Sequence, residues 1–370
     1  QEENLIMFSH DDCVHMAHAL QLAERGKYSA QPNPMVGCVL VNNSSVVGEG
    51  WHERAGEPHA EIIALRAAGD KAKGATAYVS LEPCAHHGKT PPCVEALIDA
   101  GVSKVVVAME DPFDKVKGRG LEMLQEAGIE VQVGLMRDVA EAVNEGFIRR
   151  VTQGRPLVRL KIAASLDGAT AMEGGESQWI TGPEARHDVQ KLRARAGAVM
   201  TGVGTVLADD PSLNVRDEDI DTRGLQPLRV VLDSRLRMPA DAAMLALPGG
   251  TLVCYTGDHD GSQLEAAGAV VQEFGAHGDR VNVFEVLAAL AEREVNDVLV
   301  EAGPRLAGYL LEKDLINELV IYQSPHIMGS TTRGMFMTPA WSALADRKTL
   351  DIKDVRRVGN DTRITARISS

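Results

Sequence analysis

His59-Ala60-Glu61 is followed by Pro83-Cys84 and, nine residues on, by Cys93. One imidazole nitrogen and two thiolates suit a tetrahedral zinc ion. Three protein ligands leave the fourth position open for water, as catalytic sites do. A structural site would be closed by a fourth ligand, for which His86 or His87 is at hand. The plainer alternative is a buried histidine near two unrelated cysteines. Glu61 stands two residues after His59, so on a helix the two side chains point in different directions. Glu61 is therefore expected to work beside a metal rather than on it. Pro58 and Pro92 suit first helical turns, and positive helix ends favour nearby thiolates. Cys13, Cys38 and Cys254 lack such neighbours and read as inert thiols.

The second half of the chain offers anion-binding turns. Gly202-Val203-Gly204-Thr205-Val206-Leu207 has no glycine or alanine at the sixth position of a dinucleotide fingerprint, which argues against a Rossmann turn. Its backbone NH groups can still meet a phosphate. Glu301-Ala302-Gly303-Pro304 leads from a strand into a helix with proline first, a ready anion site. Each alone is also an ordinary tight turn.

The elements that must position these residues alternate. A helix is expected from Ser9 to Arg25, capped by Ser9 with Asp11 and Asp12 in its first turn. Strands over Val36–Val41 and Val46–Trp51 flank the turn Asn42-Asn43-Ser44-Ser45. Helices over 58–68, 93–100, 120–127 and 138–149 alternate with strands over 76–81, 104–109 and 130–134. The breaker-rich Thr152-Gln153-Gly154-Arg155-Pro156 is the best boundary, giving domains 1–152 and 153–370. Strands over 157–164, 198–202, 228–233, 251–256, 297–301 and 318–324 follow, with helices over 183–196, 283–293 and 304–313. The chain closes on an antiparallel pair, 350–359 with 362–368. Two α/β domains in tandem, built on mostly parallel sheets covered on both faces, are the expected architecture.

A chain of 370 residues fits two domains of roughly 150 or more residues each. It carries 38 lysines and arginines against 52 acidic residues, a net charge of −14, and only 4% aromatics. Both argue against a nucleic-acid partner. No apolar run approaches the ~18 residues of a membrane span, and Gln1-Glu2-Glu3-Asn4 has no signal-peptide character. Five scattered cysteines are not a disulfide framework. A cytoplasmic enzyme acting on a small molecule, and forming a homo-oligomer, is expected.

His-x-Glu with Pro-Cys is the zinc deaminase pattern, except that eight residues separate the cysteines instead of two. The long segment Leu81-Glu82-Pro83-Cys84-Ala85-His86-His87-Gly88-Lys89-Thr90-Pro91-Pro92-Cys93, with Pro32-Asn33-Pro34-Met35-Val36-Gly37 and Gly56-Glu57-Pro58-His59-Ala60-Glu61, resembles the bifunctional deaminase/reductases of riboflavin biosynthesis. Met35 and Ala85 are small departures at non-ligand positions. Lys161 through Gly168, Ser177-Gln178-Trp179-Ile180-Thr181, Asp209-Asp210-Pro211, Asp233-Ser234 and Val300 through Pro304 resemble the reductase half.

The resemblance implies an α/β fold class: an N-terminal cytidine-deaminase-like α/β/α domain, followed by a dihydrofolate-reductase-like α/β domain. It implies hydrolytic deamination of a diamino-pyrimidinone ribosyl phosphate, then reduction of the ribosyl chain to ribityl. Zn2+ on His59, Cys84 and Cys93 and proton transfer by Glu61 serve the first step. NADPH serves the second, with cofactor contacts on Ala163, Trp179, Thr205, Asp209, Ser234, Gly303, Pro304, Arg305, Leu306, Ala307, Gly308 and Tyr309. Substrate contacts fall on Ser177, Arg193, Leu213, Arg216 and Glu301. Asn33 is expected to orient the ring, and Lys89 or His52 to meet the phosphate. Lys161 and Glu301 are candidate proton donors for the reduction.

Overall fold

The computed structural model describes residues 8–85, 92–113 and 117–369. The chain divides into two compact units, residues 1–154 and 155–370.

In the first unit the elements run α1 (His10–Glu24), β1 (Gly37–Asn42), β2 (Ser45–Trp51), α2 (Ala60–Ala68), β3 (Thr76–Val79), α3 (Cys93–Asp99), β4 (Lys104–Val107), α4 (Arg119–Glu126), β5 (Glu130–Val133), α5 (Arg137–Val143) and α6 (Glu145–Gln153). Ser9 caps α1 in a reciprocal capping box with Asp12. The β1–β2 hairpin turns through Asn43 and Ser44, both at positive φ (48° and 59°), as a tight two-residue turn requires. Strand order is β2-β1-β3-β4-β5; β1 runs antiparallel to both neighbours, and β3, β4 and β5 run parallel. One face packs on α2, α3 and α4 through Ala64, Leu97 and Leu124. The other packs on α1 and α5 through Met16, Leu20 and Ala140.

The helix expected over 138–149 is two helices that meet at Asn144. The buried Asn144 side chain accepts from Met35 N and donates to Met35 O, both at 2.8 Å, as a paired strand would. It thereby holds the Pro32–Met35 loop.

The second unit comprises β6 (Leu157–Ala164), β7 (Ala169–Met172), α7 (Pro183–Arg195), β8 (Ala198–Gly202), α8 (Val203–Asp209), β9 (Leu228–Leu232), β10 (Thr251–Tyr255), α9 (Ser262–Ala266), β11 (Val270–Glu273), β12 (Ala276–His277), β13 (Arg280–Val281), α10 (Val283–Glu292), β14 (Asp297–Glu301), α11 (Pro304–Glu312), β15 (Glu318–Gln323), β16 (Thr332–Gly334), β17 (Thr349–Val358) and β18 (Asp361–Ser369). Nine strands form one sheet in the order β11-β10-β9-β8-β14-β6-β15-β18-β17, parallel except for the closing β17–β18 hairpin. β7 pairs with β16, and β12 with β13, as separate ribbons.

Adjacent residues of the central strands face opposite layers. Val298 and Val300 of β14 point with Met200 and Val230 toward α10 and α11. Leu299, Val199 and Val231 point toward α7 and α8. The helices that follow the neighbouring strands β8 and β14 therefore leave to opposite faces. In open α/β sheets such a divergence makes the crevice at the carboxyl ends of the strands where ligands bind.

Candidate functional site

In the first unit, the turn after β3 and the starts of α2 and α3 converge. His59 is the N-cap of α2, in extended conformation, and Cys93 is the first residue of α3. The helices thus begin one residue beyond His59 and Pro92, and Pro58 lies outside. Nδ1 of His59 lies 3.3 Å from Cys93 Sγ and 3.5 Å from Cys84 Sγ. The three ligand atoms fall within 4.8 Å of one another. Cys93 N donates to Cys84 Sγ at 3.3 Å, so the positive start of a helix is aimed at that sulfur. Hydrogen bonding from Cys93 pulls the Cys84 thiol down to about 4, burial opposes this, and His59 assists. The same contact pushes Cys93 up. The Cys84 hydrogen bond raises His59 above its ordinary value, against burial.

Glu61, on α2, is 3% exposed, and its Oε2 has no hydrogen-bond partner among the described residues. Burial, helped by the Cys84 charge, pushes its carboxyl up to about 7. One imidazole, two thiols and a buried carboxylate oxygen without a partner fit a zinc ion with an adjacent proton carrier.

The phosphate role expected for His52 does not suit its setting. The ring is 2% exposed; Nδ1 meets the Pro58 carbonyl at 3.3 Å and Nε2 meets Asn33 Nδ2 at 3.0 Å. Burial lowers its pKa, so it is neutral and donates from Nδ1 to a carbonyl that can only accept. Nε2 must then accept from the Asn33 amide, which turns the Asn33 carbonyl oxygen the other way. His52 therefore orients Asn33. Lys89, His86 and His87 lie outside the described residues.

In the second unit, Lys161, Glu301 and Arg193 form one charged cluster on β6, β14 and α7. Arg193 donates from Nε (2.6 Å) and Nη2 (3.1 Å) to the two Glu301 oxygens, and Lys161 Nζ lies 3.4 Å from Oε2. Arg193 Nη1 also donates to the Asn214 carbonyl, beside the buried Leu213. Burial pushes the Glu301 carboxyl up, but Arg193 and Lys161 outweigh it and hold it at about 2. Glu301 is thus ionised at neutral pH and is no proton donor. Arg216 is exposed, hydrogen-bonds through its backbone to Gln190, and feels the charge of Arg193.

The glycine turns lie at the crevice. Gly202 (φ −98°) and Gly303 (φ −72°) have backbones open to any residue, and an added Cβ at either would meet nothing within 4 Å. Neither strain nor protein packing calls for glycine there; open space before the backbone does, as where a ligand comes close. The first turn runs straight into α8, which carries Thr205 and Asp209. The second opens α11, with Gly303 as N-cap and Pro304 at the first position. α11 holds Arg305, Leu306, Ala307, Gly308 and Tyr309. Gly308 has a different reason: a Cβ would fall 2.0 Å from the Met337 carbonyl oxygen, so the chain after β16 crosses α11 there.

Ala163 is the penultimate residue of β6, paired with Tyr322. Ser234 follows β9 and accepts from Val281 N. Buried Thr201 Oγ1, Asn214 Oδ1 and Tyr309 Oη have no hydrogen-bond partner among the described residues. Open glycine turns and free polar atoms fit a dinucleotide. Ser177 and Trp179 sit between β7 and α7; Trp179 is 67% exposed, with the Arg186 guanidinium 4.7 Å from its ring centroid, so it is no core residue.

Sequence reasoning missed Asn144 and Glu82, both of which act on backbone groups far along the chain. The only local signal for Glu82 was a charge at an apolar strand end.

The deaminase pattern and the crevice are matched by comparison with known proteins. Residues 9–109 match the cytidine and deoxycytidylate deaminase zinc-binding region, and residues 156–364 the RibD C-terminal domain. The chain is 48% identical over 359 residues to the riboflavin biosynthesis protein RibD of Escherichia coli (strain K12), covering 95% of this chain and 97% of that one. It belongs to the RibD family. The RibD of Haemophilus influenzae is 45% identical over 370 residues, covering 98% of both chains. The solved structure of Acinetobacter baumannii RibD (form 2) superposes with a TM-score of 0.90 at 44% identity, covering 97% of this chain and 99% of that one. A Thermotoga maritima diaminohydroxyphosphoribosylaminopyrimidine deaminase/5-amino-6-(5-phosphoribosylamino)uracil reductase gives 0.84 at 32%, with the same coverage. A deaminase-like unit followed by a reductase unit makes this chain a bifunctional deaminase and reductase of riboflavin biosynthesis, served by zinc and NADPH. Among the described residues no helix is long and apolar enough to cross a membrane.

Proposed function

We propose that the first unit deaminates 2,5-diamino-6-(5-phosphoribosylamino)pyrimidin-4-one and that the second reduces the ribosyl chain of the product to ribityl. The observation that carries this reading is the convergence of His59, Cys84 and Cys93 beside a buried, unpartnered Glu61.

His59 Nδ1 and the sulfurs of Cys84 and Cys93 would hold the zinc, which supplies activation of water toward the amino-bearing ring carbon. Glu61 takes a proton from that water and passes it to the departing ammonia. A carboxyl poised near neutrality is suited to both transfers. Asn33, held by His52, presents its carbonyl oxygen to an N–H of the ring.

In the second unit NADPH supplies the hydride. The Gly202–Gly204 and Gly303–Pro304 turns receive its phosphates, with Ala163, Trp179, Thr205, Asp209, Ser234 and residues 305–309 around it. Ser177, Leu213, Arg193 and Arg216 bind the substrate, the arginines toward its phosphate. Glu301 holds Arg193 and Lys161 in place, which leaves Lys161 as the proton-bearing group of that cluster.

The test supplies the diamino substrate with and without NADPH, following ammonia and NADPH separately. Ammonia should appear without NADPH, and NADPH consumption should follow it. Glu61→Gln should keep zinc and lose ammonia release by about 10²–10⁴-fold. It should still reduce the already deaminated compound. Undiminished ammonia release would remove Glu61 from the chemistry.

A further inference from the structure

Glu82 is a charged residue in a buried position, 6% exposed, directly before the Pro83-Cys84 turn. Its carboxylate accepts three backbone N–H groups from one distant segment. Oε2 takes Asp111 N and Gly118 N, each at 3.0 Å, and Oε1 takes Gly120 N at 2.9 Å. Its own N–H donates to the Met109 carbonyl. Gly118, the N-cap of α4, has no side chain to cap that helix, so Glu82 takes the N-cap N–H of Gly118 and the first-turn N–H of Gly120 from outside. The contact is also steric. A Cβ on Gly120 would stand 2.3 Å from the Pro83 carbonyl oxygen, so α4 begins pressed against the peptide that leads into Cys84.

The two strands concerned are parallel neighbours, β3 and β4, and each leaves the sheet at the edge where the metal ligands gather. The turn after β3 carries Cys84; the segment after β4 runs to α4. Among the described residues, Cys84 itself is held by Val94 N at its carbonyl and by Cys93 N and His59 Nδ1 at its sulfur. On the approach to Cys84, Glu82 ties the turn to the segment after β4 through four hydrogen bonds.

We infer that Glu82 is a positioning residue of the metal centre: by binding Asp111, Gly118 and Gly120 it fixes the Pro83-Cys84 turn, and so sets where the Cys84 sulfur stands relative to His59 and Cys93. Glutamine is the informative replacement. It has nearly the same shape, but its NH2 group must face at least one backbone N–H, either that of Gly120 or those of Asp111 and Gly118. The turn must then shift, and the thiolate with it. Outer-shell groups of this kind set metal affinity by about 10–100-fold.

The inference rests on the zinc reading of His59, Cys84 and Cys93, and the test separates the two. Full-length wild-type and Glu82→Gln chains are titrated with zinc against a chelating dye, and their cobalt-loaded forms are compared by visible absorption, which reports the thiolate geometry. Leu124→Ala, a buried cavity on α4 away from the turn, serves as a control for general destabilisation. Glu82→Gln should bind zinc about 10–100-fold more weakly and shift the cobalt bands, while Leu124→Ala keeps the wild-type spectrum. Wild-type affinity and spectrum in Glu82→Gln would overturn the inference, as would equal loss in Leu124→Ala. If Glu82→Gln does not fold, Gly120→Ala decides, since its methyl would press on the Pro83 carbonyl (2.3 Å) and on Glu82 Oε1 (3.2 Å) without removing the carboxylate: shifted cobalt bands support the coupling and unchanged bands refute it. A wild-type chain that binds no zinc would sink the metal site itself.

Discussion

Glu301→Gln should destabilise the second unit in a pH-dependent way. The wild-type carboxyl is buried and held at about 2 instead of 4.5 by Arg193 and Lys161, against the upward push of burial. At 1.36 kcal/mol per pH unit this corresponds to about 3 kcal/mol in favour of the ionised folded form. Breaking a buried pair from one side costs about 3–5 kcal/mol, because the remaining cation loses its partner. Here Arg193, 8% exposed, is that cation. Because the folded pKa is depressed, the stabilisation is complete above about pH 4.5 and is lost as pH falls toward 2. By linkage it amounts to about 3 kcal/mol at pH 7 and about 1.4 kcal/mol at pH 3. A unit of this size shifts its Tm by about 2–4 °C per kcal/mol, so the variant should melt about 6–12 °C lower at pH 7. The gap should narrow by roughly half at pH 3. Calorimetry of the full chain measures it, the relevant transition being the one that NADPH raises. A gap below about 2 °C at pH 7, or one that does not change with pH, would refute the electrostatic account.

Cys84→Ser should lose zinc and lower the melting temperature of the first unit, because structure around a metal site depends on the metal; metal analysis and calorimetry check both. Asn144→Ala should cost about 2–3 kcal/mol by stranding Met35 N and O, which denaturant titration would show as a lower midpoint with an unchanged slope. NADH should serve about 10–100-fold worse than NADPH in kcat/KM. The acidic residue directly after β9, Asp233, is fully buried, with Oδ2 accepting from Met238 N, and offers no exposed carboxylate to a ribose hydroxyl; equal efficiency with the two cofactors would contradict this.

Local chemistry was legible in the sequence. The hairpin turn at Asn43-Ser44, the cap at Ser9 and the alternation of strands and helices all come from residues near one another in the chain. So does the closing antiparallel pair, although not its place at the edge of the large sheet. What was not legible depends on distant partners. The break at Asn144 exists because its amide serves Met35, 109 residues away. β7 is a strand only because β16 pairs with it, Met172 opposite Thr332. α8 was hidden because two glycines at its start read as a turn. Lys161 and Glu301 were each named as proton donors because nothing local showed that they share a cluster with Arg193.

The two glutamates at the centres of the two units show why burial alone does not assign a role. Both are nearly inaccessible, Glu61 at 3% and Glu301 at 9%. Glu301 faces a guanidinium through both oxygens and an ammonium through one, so its charge is fixed. Glu61 has an oxygen with no hydrogen-bond partner and a thiolate nearby, so burial is only partly offset and its carboxyl is raised to about 7. A group that must give and regain a proton in each turnover needs that lack of compensation; a group that must keep two cations in register needs the opposite. The sequence places a glutamate in each unit, and the surroundings leave one carboxyl poised near neutrality and fix the other as an anion.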